Sequence, residues 1–360
     1  MRSRPSRPVR RQGYGPAGQR QRRSWPLVSW RNPFSCTRDS QARGRGKGPD
    51  ASALPLPGIA ASFVCDRSTY DHATERSFCM GETALLGDIG GTNARFALSR
   101  NGRIDPQTRI TLRNDDHPTF AEALDEVVSR LGAVDAIALA VAGPVNGGRV
   151  RMTNRDWVVE ETYLATRTDG PVRMINDLTA QALAVPDLRE TDQDILRTGV
   201  PSPDGQWLVV NCGTGFNAAP GLHHGDSRAV LATEVGMCGL PGSIADRLRA
   251  ADYPVPANYD ALLSGRGLAG MRSAMAGDAD SLFAHCLADM LRDQMYAMMP
   301  QGGLYLCGGV ARAMLDGPAR EVVLRRLAEA YDPYPFLADV QISLITADDA
   351  ALIGCQAALR

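Results

Sequence analysis

A glycine turn between two apolar runs is the part of the chain with the clearest potential for chemistry. The first run starts at Leu85, the turn is Gly90-Gly91-Thr92-Asn93, and the second run reaches Leu98. Adjacent glycines let backbone N–H groups converge on a phosphate. A carboxylate beside that site would repel the phosphate unless a cation lay between them, so Asp88 predicts Mg²⁺ bound together with a nucleotide. The candidate phosphate ligands are Gly87, Asp88, Ile89, Gly90, Gly91 and Thr92.

This turn differs from two better-known glycine loops. A Walker loop needs a lysine at the start of a helix, and the only lysine of the chain is Lys47. A Rossmann fingerprint also leads into a helix, whereas residues 95–98 are typical of a strand. A plain hairpin remains the alternative for any single Gly-Gly turn. With no lysine near the turn, Arg95 is available for an ion-pair role, but a solvated strand residue is the favoured interpretation.

The pattern of strand, glycine turn and strand occurs a second time. A run from Trp207 to Val210 leads to Gly213, Thr214 and Gly215, and apolar residues follow. A third apolar run ends at Gly308-Gly309 and precedes a helix-like segment. This partial repeat predicts two similar α/β domains that hold one nucleotide between them.

Other patterns predict the elements that position these turns. Apolar spacing predicts a helix over residues 119–131, and the continuous apolar run 136–142 is typical of a buried central strand. A short strand over 173–175 leads to a helix over 178–185 that ends at Pro186. A strand is expected over 340–345, followed by a last helix that extends to Leu359 and is capped by Asp348 or Asp349.

Charge divides the chain into two regions. Residues 1–79 contain 15 basic and five acidic residues, while the remainder has an excess of acidic residues. An acidic body argues against a nucleic-acid surface. The arginine-rich leader could be a transit peptide, a basic nucleic-acid arm or a disordered extension, and its lack of periodicity favours the last.

Cysteine usage indicates a reducing compartment. None of the cysteines forms a Cys-x-x-Cys pair, and zinc-ligand spacing is absent from the sequence. No apolar run approaches the length of a membrane span. The eight cysteines are at positions 36, 65, 79, 212, 238, 286, 307 and 355.

Seven short motifs occur in order from about residue 85 to residue 360. They are Gly-Asp-Ile-Gly-Gly-Thr-Asn-Ala-Arg at 87–95, Ala-Gly-Pro-Val at 142–145, Met-Thr-Asn-Arg-Asp-Trp at 152–157, Ile-Asn-Asp-Leu-Thr-Ala at 175–180, Gly-Thr-Gly at 213–215, Leu-Ser-Gly-Arg-Gly-Leu at 263–268 and Gly-Gly-Leu-Tyr-Leu-Cys-Gly-Gly at 302–309. On these motifs the sequence resembles the bacterial glucokinase family of the hexokinase, Hsp70 and actin superfamily.

The resemblance implies a fold and its boundaries. It implies two actin-like (ribonuclease H-like) α/β domains around a central cleft. The expected divisions are a disordered basic extension over 1–79, an N-terminal domain over 80–187 joined by the C-terminal helix 347–360, and a larger C-terminal domain over 188–346. It also implies a cytoplasmic glycolytic enzyme, with no membrane or nucleic-acid partner and with a homodimer left open.

The same resemblance implies ATP-dependent phosphorylation of glucose. Asp177 would be the general base and Asn176 would hold a neighbouring sugar hydroxyl, although an Asn-Asp pair before a helix is also a capping pattern. Asp88 would lie near Mg²⁺. Gly308 and Gly309 would approach the adenosine, with strand-to-helix packing as the alternative.

The sugar side departs from the family pattern. The family has Glu-Gly-Gly-His after the second phosphate loop, whereas this chain has Glu234-Val235-Gly236-Met237. Glu234 keeps its sugar-binding role in this comparison, but Met237 cannot replace the hydrogen bonds of histidine. Asp260 stands where the family has a second sugar-binding glutamate. Alternatives are therefore a kinase for another hexose or sugar derivative, and a non-catalytic regulator that binds nucleotide and sugar.

Overall fold

The computed structural model describes residues 82–152, 155–225, 227–275 and 277–360. The predictions for residues 1–79 lie outside this range, as do positions 153 and 154 of the third motif. Within the described residues, no helix has the length and apolar character needed to cross a membrane.

The first half of the described chain forms one mixed sheet and a separate two-stranded ribbon. In the mixed sheet the strand order is β3-β2-β1-β5-β8, with β4 also paired to β2. β1 and β2 form an antiparallel hairpin, and β5 and β8 continue in parallel from β1. The strands of this half are β1 (Thr83–Ile89), β2 (Asn93–Arg100), β3 (Arg103–Ile104), β4 (Ile110–Arg113), β5 (Ala136–Val141), the ribbon pair β6 (Arg149–Arg151) and β7 (Val158–Glu160), and β8 (Val172–Asn176).

The second half repeats this arrangement. Its sheet order is β12-β11-β10-β13-β14-β9, in which β10 and β11 form the hairpin and β13 and β14 run parallel to β10. The strands are β9 (Gln193–Arg197), β10 (Trp207–Cys212), β11 (Phe216–His224), β12 (Ser227–Val230), β13 (Leu304–Cys307) and β14 (Ile342–Ile345). In each sheet, parallel strands continue from the first strand of the hairpin. The two glycine turns therefore lie at equivalent edges of their sheets.

Helices cover the faces of both sheets. They are α1 (Phe120–Leu131), α2 (Glu161–Leu164), α3 (Asp177–Ala184), α4 (Gly242–Ala250), α5 (Tyr259–Leu263), α6 (Gly265–Ala274), α7 (Ala279–Met298), α8 (Gly309–Leu315), α9 (Ala319–Leu327) and α10 (Ala350–Ala357). The apolar side of α1 packs on one face of the first sheet. Residues of α3 and α10 pack on its other face, so the last helix of the chain lies against the first sheet. A Cβ at Gly354 would collide with the carbonyl group of Ala180, which shows how closely α10 approaches α3.

Most element boundaries agree with those predicted from the sequence to within two residues. The start of the last helix differs from the prediction in its capping. The side chain of Thr119 caps α1 by accepting a hydrogen bond from Glu122 N–H at 3.2 Å. Asp349 precedes α10 but makes no side-chain capping bond. Its carboxylate instead forms an ion pair with Arg109, a residue beside β4. The expected capping role is therefore replaced by a contact that ties α10 to the first sheet.

Candidate active site

The first glycine turn joins β1 to β2 and is fixed by hydrogen bonds on both sides. Gly90 N–H donates to the Asn93 carbonyl at 3.0 Å, which closes the turn. Asn114 braces it from outside, because its Nδ2 donates to the Gly90 carbonyl at 2.7 Å and its backbone N–H donates to the Thr92 carbonyl at 2.9 Å. These bonds close the turn and tie it to the segment that follows β4.

Asp88 lies on β1 directly opposite Arg95 on β2. The Arg95 guanidinium forms an ion pair with Asp88 Oδ2 at 3.2 Å. Burial raises the pKa of the Asp88 carboxyl, and the charge of Arg95 opposes this rise. Arg95 is half exposed, as expected of a strand residue. Its ion pair with the Asp88 carboxylate agrees with the alternative role of Arg95.

Asn176 and Asp177 lie at the junction of β8 and α3. Asn176 is the N-cap of α3, since its Oδ1 accepts from Leu178 N–H at 3.0 Å and from Thr179 N–H at 3.3 Å. Its Nδ2 donates to the Gly143 carbonyl at 3.1 Å, which links it to the segment after β5. The capping alternative therefore describes Asn176 correctly, and the residue also lines a cavity.

The carboxyl group of Asp177 is chemically unusual. Burial is the largest influence and raises its pKa to about 6, and the negative charge of Asp88 acts in the same direction. A hydrogen bond of 2.9 Å from Leu178 N–H opposes the rise without cancelling it. A carboxyl group with this pKa is ionised at neutral pH, yet it is more basic than an ordinary aspartate. It is therefore suited to remove a proton from a hydroxyl group.

The second glycine turn lies between β10 and β11. Gly213 N–H donates to the Gly215 carbonyl at 2.9 Å, and Gly265 N–H, at the start of α6, donates to the Gly213 carbonyl at 2.7 Å. Asn211 Nδ2 reaches the Gly215 carbonyl at 3.5 Å. Thr214, between the two glycines, is exposed. The turn is thus anchored to both its own strand and α6.

Gly308 brings a third segment to this turn. It has a φ of +96°, and a Cβ there would lie 2.5 Å from Asn211 Oδ1. The Gly308 Cα lies 3.5 Å from the position of a Cβ on Gly213. Around Gly309 there is open space. The predicted nucleotide ligands 213–215 and 308–309 are therefore adjacent.

A cavity of about 410 Å³ lies between α3 and the β11–β12 region. It brings together Asn176 and Glu234, two predicted sugar ligands that are far apart in sequence. Its walls are largely apolar, and the polar part of its lining consists of Asn176, Thr179, Asn217, Thr233 and Glu234. The lining residues are Pro144, Val145, Met174, Ile175, Asn176, Leu178, Thr179, Asn217, Ala218, Ala219, Val230, Leu231, Ala232, Thr233 and Glu234.

Asp260 and Met237 do not line this cavity. Asp260 Oδ1 accepts from Phe216 N–H at 2.8 Å and its Oδ2 accepts from Arg266 at 2.9 Å, so both carboxylate oxygens have partners beside the second glycine turn. Met237 is 61 % exposed, and its Sδ lies 3.7 Å from Asn258 Nδ2. Asp260 would have to share or release a partner to bind a sugar.

The side chains of the site suit Mg²⁺ carried in by a nucleotide. No group of three or more His, Cys, Asp or Glu residues suited to a metal occurs in the described part of the chain. Mg²⁺ bound with ATP needs only one or two carboxylates, because phosphate oxygens and water supply the other ligands. Asp88, at the end of the first glycine turn, fits that requirement.

Several residues that shape this site were not found from the sequence. Asn114 braces the first turn, and Asn211 braces the second. Asn217 contacts Glu234 and is described below. Each is a single asparagine outside a glycine motif, and asparagine is common in turns of every kind. Only the three-dimensional contacts reveal these roles.

Comparison with known proteins gives a consistent result. The family model described as Glucokinase matches residues 85–280 and 263–360. A glucokinase of Caulobacter vibrioides (strain NA1000 / CB15N) is 30% identical over 317 residues, covering 78% of this chain and 96% of the relative. The crystal structure of a glucokinase from an Antarctic psychrotroph aligns with a TM-score of 0.67 at 25% identity, over 77% of this chain and 98% of that one.

A more distant structure supports the fold alone. A glucokinase of Balamuthia mandrillaris in complex with glucose aligns with a TM-score of 0.58 at 17% identity, over 77% of this chain and 93% of that one. Together with the two sheets described above, these likenesses confirm the predicted actin-like α/β fold.

Proposed function

The chain belongs to the glucokinase family and is a glucokinase-like hexose kinase, and we propose that it transfers the γ-phosphoryl group of ATP to glucose with Asp177 as general base. The observation that carries this proposal is the position of Asp177 at the junction of β8 and α3, on the same sheet edge as Asp88, where partial burial and the charge of Asp88 raise the pKa of its carboxyl to about 6. A sugar hydroxyl is a weak nucleophile, and a positioned base is the group it needs.

The proposed reaction assigns each step to a group of this chain. Asp177 takes the proton of the attacking hydroxyl as the oxygen–phosphorus bond forms, and the bond from the γ-phosphorus to the ADP oxygen breaks. Asn176 and Glu234 hold neighbouring sugar hydroxyls at the polar part of the cavity. Partial burial of Asp177 raises the basicity of the carboxylate that would accept this proton.

The two glycine turns would hold the nucleotide. The first turn would donate the backbone N–H groups of Gly91 and Thr92 to the terminal phosphates from one sheet, because Gly90 N–H already closes the turn on the Asn93 carbonyl. From the other sheet, Thr214 and Gly215 would do so, because Gly213 N–H already donates to the Gly215 carbonyl. Gly308 and Gly309 would allow close approach of the adenosine. Mg²⁺ bound with ATP would neutralise phosphate charge and would be held by Asp88. By family likeness we also propose a cytoplasmic role in glycolysis.

Preference for a different hexose is the second candidate. Met237 replaces the histidine of the family motif, and Asp260 is occupied by Phe216 N–H and Arg266. A site that loses one hydrogen bond to a substrate hydroxyl commonly weakens by about 1–3 kcal/mol. Glucose would then bind weakly, and a hexose that does not require the lost contacts would be favoured.

A coupled assay with MgATP and a panel of hexoses tests this function. We expect phosphorylation of at least one hexose by the wild-type chain and its loss in Asp177→Asn. Strong activity on another hexose with none on glucose would select the second candidate. Absence of phosphorylation of every hexose, with ATP still bound, would contradict the proposal.

A further inference from the structure

Asn217 is the first polar residue of β11 after the second glycine turn, and it lines the same cavity as Glu234. Its Nδ2 donates to Glu234 Oε2 at 3.2 Å and to the Thr233 carbonyl at 2.9 Å. Its Oδ1 accepts from Ala218 N–H at 2.9 Å and from Gly236 N–H at 3.4 Å. One side chain thus contacts both sides of the Glu234 turn.

These contacts occupy the full hydrogen-bonding capacity of the side chain. An asparagine amide offers two N–H donors and one oxygen with two acceptor positions. All four are directed at protein groups, and none remains for a sugar. The side chain therefore acts on the turn rather than on a ligand.

Glu234 has little else to hold it. It is exposed, it has a φ of −128° and a ψ of 55°, and its own side chain makes no capping bond to the short helical turn that follows. An exposed glutamate with several rotatable bonds would lose considerable side-chain entropy on binding a hydroxyl. A hydrogen bond from Asn217 reduces that loss by fixing the carboxylate beforehand.

We infer that Asn217 is a positioning residue for the sugar, because it fixes the Glu234 carboxylate at the polar part of the cavity. The inference rests on the proposed function, in which Glu234 is a sugar ligand. Asn217 is a determinant of sugar affinity that makes no contact with sugar itself.

The chain offers a matched residue for comparison. Asn211 on β10 is the direct cross-strand partner of Asn217. Its side chain is directed at the Gly215 carbonyl and at Cys307 Sγ, so it contacts the nucleotide side of the same hairpin. Substitution of Asn217 should therefore affect the binding of the sugar, and substitution of Asn211 should affect the binding of the nucleotide.

The test measures Michaelis constants for glucose and for ATP in Asn217→Ala, Asn217→Asp and Asn211→Ala. A hydrogen bond to a charged group contributes about 1.5–3 kcal/mol, so Asn217→Ala should raise the glucose constant roughly 10-fold or more and leave that for ATP unchanged. Asn217→Asp keeps the shape but puts a second carboxylate beside Glu234, so its glucose constant should rise further. Asn211→Ala should instead raise the ATP constant.

A double-mutant cycle with Glu234→Ala separates the possible failures. In that background Asn217→Ala should cost almost nothing in glucose affinity, because the group it positions is absent. Full additivity, or an equal rise of both constants in Asn217→Ala, would overturn the inference. Unchanged glucose affinity in Glu234→Ala would remove Glu234 from the sugar site and overturn it as well. No affinity of the wild-type chain for any hexose would instead contradict the proposed function itself.

Discussion

The charge of Asp88 contributes to the raised pKa of Asp177, although the two residues are 89 positions apart in the sequence and lie at the ends of different strands. β1 and β8 are both parallel to β5, which lies between them, so their carboxyl ends share one edge of the first sheet. Two carboxylates at one edge disfavour each other's ionisation. A kinase site can use this arrangement, because a cation that neutralises Asp88 also changes the basicity of Asp177.

Replacement of Asp177 by asparagine should abolish most of the turnover. The amide keeps the size of the side chain but cannot accept a proton, and general-base catalysis of this kind commonly contributes about 10²–10⁴ in rate. Equilibrium binding of glucose and of ATP should persist. Asp194→Asn is a matched control, because that carboxylate lies on β9 and pairs with Arg320 at 3.4 Å. Near-normal turnover of Asp177→Asn would leave Asp177 with a structural role only.

The same substitution should make the protein more stable. A carboxyl whose pKa is about 6 when folded and 3.8 when unfolded is destabilising once it ionises. Its favourable contribution to the free energy of unfolding is complete below pH 3.8, the pKa in the unfolded state. This contribution is lost as the pH rises through about 6, the pKa in the folded state. Asp177→Asn should therefore increase the free energy of unfolding by up to about 3 kcal/mol near pH 8, and by much less near pH 4. Urea unfolding of both proteins at the two pH values measures this. A stability gain that does not depend on pH would contradict the assignment.

The pH dependence of catalysis should reflect the same group. As the pH falls through about 6, protonation of Asp177 removes the base. The value of kcat/KM for glucose, measured with MgATP well below saturation so that it reports the groups of the free enzyme, should then decrease about tenfold per pH unit. ATP binding measured directly at each pH serves as the control. A profile that stays flat down to pH 5 would show that another group accepts the proton.

The sequence predicted the two glycine hairpins because local chemistry determines them. Glycines between apolar runs leave few other structures. Asp88 was proposed as a site residue because it ends an apolar run before the first turn, and Asp177 because the family resemblance implies its role. Asn114, Asn211 and Asn217 could not be found this way. Their partners are carbonyl groups and side chains brought near by the sheets, and a single asparagine carries no signal of such a contact. For the same reason the sequence could not show that Asp349, which holds the N-cap position of α10, makes no capping bond and pairs instead with Arg109, 240 positions away.

The two glycines at the end of β13 should differ sharply in their tolerance of alanine. Gly308 has a positive φ, and a Cβ there would also lie 2.5 Å from the Cys212 carbonyl oxygen. Gly308→Ala should therefore lower stability and raise the Michaelis constant for ATP, because Asn211 and the second glycine turn must move. Gly309→Ala adds a methyl group in open space and should preserve the stability. Thermal unfolding and ATP kinetics of both variants test this. Equal stability of the two would argue against the packing of Gly308 against β10.

The sugar side of the site should respond to restoration of the family residues. Met237 is exposed and offers no strong hydrogen bond, whereas histidine at this position could donate to or accept from a hydroxyl. Asp260→Glu would add the methylene that the family residue has, although Phe216 N–H and Arg266 compete for its carboxylate. One regained hydrogen bond corresponds to about 1 kcal/mol, so Met237→His should lower the Michaelis constant for glucose roughly fivefold. The double variant should lower it further, and the constant for ATP should stay the same because the glycine turns are untouched. The double variant could leave glucose affinity unchanged while the wild-type chain phosphorylates another hexose well. In that case the residues at these two positions are adaptations to that hexose, and glucose is not the preferred substrate.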